Sequence, residues 1–125
     1  MPKVFIVDDA PADLAFARGI LADAKYEVVT CDKAAEAEDR IAEAQPDVIL
    51  LDIVMPERSG YDILRKLRKN PETRAIPVAL VSSKTEPSDV LWGKTQGADD
   101  YLLKPYQPSD LVATVEHLLG RKTAG

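Results

Sequence analysis

Cysteine is nearly absent from this chain: Cys31 is the only one among 125 residues. A single thiol excludes an internal disulfide and any cysteine-rich metal site. Long apolar runs are missing too. None approaches the roughly 20 residues that a membrane-spanning helix needs, so no membrane insertion is expected. Met1-Pro2-Lys3 leads straight into a strand pattern, so no signal peptide is expected, and a reducing cytoplasm is the expected home. There is no excess of positive charge: 16 basic against 21 acidic residues leave a formal net charge of −5. That balance argues against nonspecific binding to nucleic acid or an anionic membrane. No repeat, low-complexity segment or linker interrupts the sequence. With 46% hydrophobic and 30% charged residues, it reads as a single domain over 1–125, with the site-bearing core at 3–120 and a short tail at 121–125.

What is present is a strict alternation of short apolar runs and helical patterns. Strands are expected at Lys3–Val7, Tyr26–Cys31, Val48–Leu51, Pro77–Val81 and Asp100–Leu103. The second is more polar and suits a sheet edge. Helices are expected from Pro11 to about Ala24, Lys33–Ala44, Gly60 to about Lys69, Pro87 or Ser88 to Gln96, and Pro108 to about Leu119. Pro11 suits a first helical turn. Gly97 suits a helix C-cap, and Gly120 is expected to close the last helix. Ile63, Leu64 and Leu67 mark one buried face; Leu111, Val112, Val115, Leu118 and Leu119 mark another. The fourth helix has a thin apolar stripe and an internal Gly93, which suits an element of low local stability. Strict βα alternation implies a parallel sheet covered by helices on both faces.

The chemistry stands at the ends of the apolar runs. Asp8 and Asp9 follow the first, Asp52 the third, Ser82 and Ser83 the fourth, and Lys104 the fifth. Residues just past the C-terminal ends of parallel strands converge on one crevice. Carboxylates gathered there repel one another unless a cation joins them. Oxygen-only ligands suit a hard divalent ion such as Mg²⁺.

Four segments carry a resemblance: Val7-Asp8-Asp9; Leu51-Asp52-Ile53-Val54-Met55-Pro56 with Gly60; Val81-Ser82-Ser83; and Gly97-Ala98-Asp99-Asp100-Tyr101-Leu102-Leu103-Lys104-Pro105. In this order, each at a strand end, they resemble the receiver domain of two-component response regulators over nearly the whole chain. The resemblance implies a doubly wound (βα)5 flavodoxin-like three-layer sandwich with strand order 2-1-3-4-5. It implies Asp52 as phosphoacceptor. Mg²⁺ would be held by Asp9, Asp52 and the backbone carbonyl of Val54, with Asp8 acting mainly through a metal-bound water. Lys104 and Ser82 would each meet a phosphoryl oxygen. Ser82 and Tyr101 would form the switch, and a cis peptide bond would precede Pro105. The implied partners are a histidine kinase or histidine phosphotransfer protein and a protein target on the face of the fourth helix, fifth strand and fifth helix. The implied role is a phosphorylation switch rather than a conventional enzyme.

Leu91-Trp92-Gly93-Lys94-Thr95-Gln96-Gly97-Ala98 is similar to single-domain regulators of the twitching-motility chemosensory type, which points to chemotaxis or twitching motility. A phosphoryl-shuttling relay intermediate, a receiver fragment of a longer regulator and a non-phosphorylated pseudo-receiver are the alternatives. A hydrolase of the haloacid dehalogenase type needs a second acid two residues beyond the nucleophile, where this chain has Val54. A flavodoxin-like FMN carrier needs a hydroxyl- and glycine-rich loop after the first strand, where the acidic run from Asp8 to Asp13 would repel phosphate. Val54 and Lys84 flank the positions where the family tunes hydrolysis. Cys31 is expected to pack at a strand end, His117 to lie at the surface or half-packed, and Glu36, Glu38, Asp39, Arg40 and Glu43 to form a solvated helix face. Trp92 is read equally as a partner contact or a helix anchor.

Overall fold

The computed structural model describes residues 1–83 and 87–124, with side chains described for 1–83 and 89–120. Lys84 and Gly125 therefore lie outside the described residues. The elements are β1 (Lys3–Val7), α1 (Pro11–Asp23), β2 (Glu27–Cys31), α2 (Ala37–Ala44), β3 (Val48–Asp52), α3 (Gly60–Lys69), β4 (Val78–Ser82), α4 (Pro87–Thr95), β5 (Asp100–Leu103) and α5 (Pro108–Ala124). The five strands form one parallel sheet in the order β2-β1-β3-β4-β5. This is the expected doubly wound topology, with the polar β2 at an edge.

Alternation along each strand sends neighbouring residues to opposite faces. Val4 and Ile6 of β1 pack with Leu50 of β3 beneath α1 and α5, where Ala17, Leu21, Leu111, Val115 and Leu118 are buried. Phe5 and Val7 pack on the other face with Ile49 and Leu51 against Ile41 of α2 and Ile63, Leu64 and Leu67 of α3. Both faces are covered, so β3 and β4 are buried at every position and read as continuous apolar runs.

Several boundaries differ from expectation. Lys33 is extended (φ −122°) and caps nothing with its side chain. The chain therefore enters through a 3₁₀ turn at Ala34–Glu36, and α2 begins only at Ala37. Gln45 ends α2 in the left-handed region (φ 46°) just before Pro46. Pro77 lies outside β4, although its carbonyl accepts from Ile49 N–H at 2.9 Å. Gly97 adopts φ 109° after α4, as a helix stop requires. Gly120 does not: its φ is not positive, and α5 runs through it to Ala124. A glycine ends a helix only where the chain turns left-handed; elsewhere it merely weakens it. Among the described residues no helix is long and apolar enough to cross a membrane.

Four side-chain expectations are placed here. Cys31 is buried, with its thiol donating to Lys33 O at 3.2 Å. His117 is exposed. The acidic face of α2 is not wholly solvated: Glu38 takes both Nη atoms of Arg58, at 2.6 and 2.5 Å, tying α2 to the β3–α3 loop. Trp92 is 51% exposed and meets Tyr61 edge-on, with ring centroids 6.5 Å apart.

Candidate functional site

Parallel strands place Asp8, Asp52, Ser82 and Lys104 at one rim because each stands at or just beyond a strand C-terminus. The register brings Val7 beside Leu51, Asp52 beside Val81 and Ser82 beside Leu103. Lys104 is then fixed by its backbone N–H, which donates to Ser82 O at 2.8 Å. The Lys104–Pro105 peptide bond is cis.

Each of Asp8, Asp9 and Asp52 offers a carboxylate oxygen, and these oxygens lie within 4.8 Å of one another. Asp8 and Asp52 are buried and Asp9 is half-buried. Asp8 Oδ1 accepts from Ala10 N–H at 2.9 Å, and Oδ2 accepts from Lys104 Nζ at 2.9 Å. Lys104 Nζ stands 3.6 Å from Asp52 Oδ1. Burial, then the charge of Asp8, pushes the Asp52 carboxyl from its usual 3.8 up to about 6, with Lys104 opposing. Burial works against the Lys104 ammonium. Hydrogen bonds to Asp8 and Asp13 and the charges of Asp52 and Asp8 outweigh it and raise the pKa above the usual lysine value. An oxygen-only cluster of crowded acids, one strained toward protonation, has the donor chemistry that fits a hard divalent cation.

Val54, two residues beyond Asp52, turns its side chain outward at 58% exposure. Ser82 is buried at 1% exposure, and Ser83 is exposed. The Ser82 hydroxyl acts on the Tyr101 phenol from the neighbouring strand. Tyr101 is half-buried against the α2–α3 side of the core. Burial raises its phenol pKa, and the Ser82 hydroxyl works the other way.

The structure thus gathers the sequence-derived Asp8, Asp9, Asp52 and Lys104 into one pocket and sets Ser82 and Tyr101 on paired strands. One contributor was not legible, and another was read only as part of a motif. Asp13, in the first turn of α1, accepts from Lys104 Nζ at 2.9 Å. An acid in a first helical turn ordinarily reads as a helix-dipole residue, so its spacing carries no sign of a lysine 91 positions away. Gly60 opens α3 directly on the backbone of Asp52: a Cβ there would lie 2.2 Å from Asp52 O. Its only signal was the motif.

A doubly wound sheet with three acids and a lysine at its C-terminal rim is the fold and site of a receiver, and residues 4–116 match the response regulator receiver domain model. The chain belongs to that family. It is 37% identical to Protein PilH of Pseudomonas aeruginosa over 119 residues, which cover 95% of this chain and 98% of that protein. It is 36% identical to the phosphate regulon transcriptional regulatory protein PhoB of Rhizobium meliloti, covering 97% of this chain but 53% of PhoB. The Vibrio cholerae chemotaxis protein CheY4 superposes with a TM-score of 0.90 at 32% identity, over 95% of this chain and 99% of CheY4.

Proposed function

We propose that this receiver is a Mg²⁺-dependent phosphorylation switch with Asp52 as acceptor. The observation that carries the reading is the pocket itself: three carboxylates within 4.8 Å, with Lys104 Nζ 2.9 Å from Asp8 and 3.6 Å from Asp52. A carboxylate oxygen of Asp52 attacks the phosphorus of a phosphohistidine on a histidine kinase or phosphotransfer protein. The P–N bond breaks, the imidazole leaves and takes up a proton, and Asp52 carries an acyl phosphate. Asp9, Asp52 and the Val54 carbonyl would hold the ion, with Asp8 acting through a water. Bound there, Mg²⁺ neutralises charge that the acids and the phosphoryl oxygens would otherwise set against each other. Lys104 and Ser82 take the remaining phosphoryl oxygens. Ser82 then leaves the Tyr101 phenol, and the ring changes its packing. This shifts the face of α4, β5 and α5 between two states that a protein target distinguishes. The pull of the Ser82 hydroxyl on the Tyr101 phenol supports that coupling, as do the exposed Leu91 of α4 and Leu103 of β5.

We infer a chemosensory pathway, supported by the segment Leu91–Ala98 and by the likeness to a chemotaxis protein. The test is intact mass after incubation with Mg²⁺ and either acetyl phosphate or a phosphorylated chemosensory histidine kinase. One phosphoryl group should be gained, lost with EDTA and absent from Asp52→Asn. A gain from neither donor, with no beryllofluoride binding, rejects the switch. A gain from acetyl phosphate but not from the chemosensory kinase rejects the pathway alone.

A further inference from the structure

Lys104 has a third carboxylate partner that the acceptor chemistry does not require. An ammonium has three donors. Here Nζ lies 2.9 Å from Asp8 Oδ2 and 2.9 Å from Asp13 Oδ2, while Asp52 Oδ1 stands at 3.6 Å, beyond hydrogen-bond range. The lysine is therefore held off the acceptor by two other acids. Those acids differ in what release would cost. The Asp8 side chain is 8% exposed, whereas that of Asp13 is 50% exposed. Water can replace the lysine at Asp13 but not at Asp8, and a buried unpaired carboxylate is the expensive one.

Resting on the receiver reading, we propose that Asp13 is a positioning residue: it shares the Lys104 ammonium in the unphosphorylated protein and yields it to a phosphoryl group arriving on Asp52. The exchange has room to occur. A cleft of about 430 Å³ lies beside the lysine, lined by Asp13, Phe16, Ser83, Lys104, Pro105 and Tyr106. Asp13 sits on α1 and Lys104 just past β5, so the contact spans the seam between them, and Phe16 meets Tyr106 along the same seam with ring centroids 5.9 Å apart.

The alternative is that Asp13 only complements the N-terminus of α1, whose Ala10 cap offers no side-chain hydrogen bond. Binding signs separate the two. Without the Asp13 charge, Lys104 settles nearer Asp8 and Asp52. A cation then meets more positive charge in the pocket, and an anionic phosphoryl mimic meets a better-placed ammonium. Calorimetric titration of Mg²⁺ into Asp13→Asn should show binding about threefold weaker than wild type, and beryllofluoride at saturating Mg²⁺ should bind about threefold tighter, the scale of one partly exposed ion pair. Asp13→Glu should restore both constants. Helix-end loss alone lowers Tm and moves neither constant in opposite directions. Unchanged constants, or both weakened together, overturn the role of Asp13 while leaving the receiver reading intact. If wild type itself takes no beryllofluoride, the receiver reading fails and this inference with it.

Discussion

Asp52 is a carboxyl group that the fold holds in unfavourable surroundings. It is 7% exposed at the end of a fully buried strand, with Asp8 and Asp9 beside it. Burial first, then the neighbouring acid, raises its pKa from 3.8 to about 6. A raised acid pKa means that the folded state favours the protonated form. The associated stability is fully present below the unfolded value of 3.8 and is lost as pH rises through about 6. Above that range the metal-free protein carries the cost of a buried charge. Asp52→Asn removes this cost. In urea unfolding with EDTA present, the variant should be about 2 kcal/mol more stable than wild type at pH 7.5 and nearly equal to it at pH 4. A variant less stable than wild type at pH 7.5 would contradict the assignment. The same tension suits the residue to a cation, which would relieve it.

Single elements set where that carboxyl points. Helix α3 starts from a capping box in which Ser59 Oγ accepts from Asp62 N–H and the Asp62 carboxylate accepts from Ser59 N–H, both at 3.3 Å. Its first residue, Gly60, donates to Ile53 O at 2.8 Å and lies flat on the end of β3. Because a Cβ at Gly60 would meet the backbone oxygen of Asp52 at 2.2 Å, α3 or the strand end must move if any side chain is added. Gly60→Ala should cost about 2–3 kcal/mol in chemical denaturation despite alanine's better helix propensity, and should weaken Mg²⁺ binding as well. A neutral or stabilising effect would show that α3 is free to shift. Helix α4 is anchored differently. Gly93 is its one fully buried residue among those whose side chains are described, while Leu91 and Trp92 are exposed at 68% and 51%. Little apolar burial holds it, which suits an element expected to change state.

Across the whole molecule, the chemistry and the stapling occupy opposite ends of the sheet. The acids and Lys104 sit at the C-terminal rim. At the N-terminal ends of β4 and β5, the Arg68 guanidinium donates to Gly97 O (2.9 Å), Arg74 O (3.0 Å), Ile76 O (2.8 Å) and Asp99 Oδ2 (3.0 Å). Asp99 also accepts from Val78 N–H at 2.9 Å. Burial lowers the Arg68 pKa and Asp99 counters it. Removing one partner leaves the other partly buried and unpaired, so Arg68→Ala should lose about 3 kcal/mol in thermal or urea unfolding while Mg²⁺ affinity holds. A loss below about 0.5 kcal/mol would class the network as an ordinary surface pair. Such long-range contacts mark the limit of what the chain shows by itself. The five strands, their burial and the polar edge were legible because apolar period and length are local. Asp8, Asp9, Asp52, Ser82 and Lys104 were legible because each directly follows, or ends, one of those runs. Gly120 misled because composition does not reveal φ. Lys33 misled because a helical pattern does not reveal how its first turn is capped. By itself, the sequence determined the alternating layers and the set of groups delivered to one rim. Tertiary structure alone decided that Asp13 shares Lys104 across 91 residues, that Glu38 is clamped by Arg58 across 20 and that Arg68 meets Asp99 across 31. Partners so far apart leave no local pattern, and only the packing of helices on a particular strand order makes them neighbours.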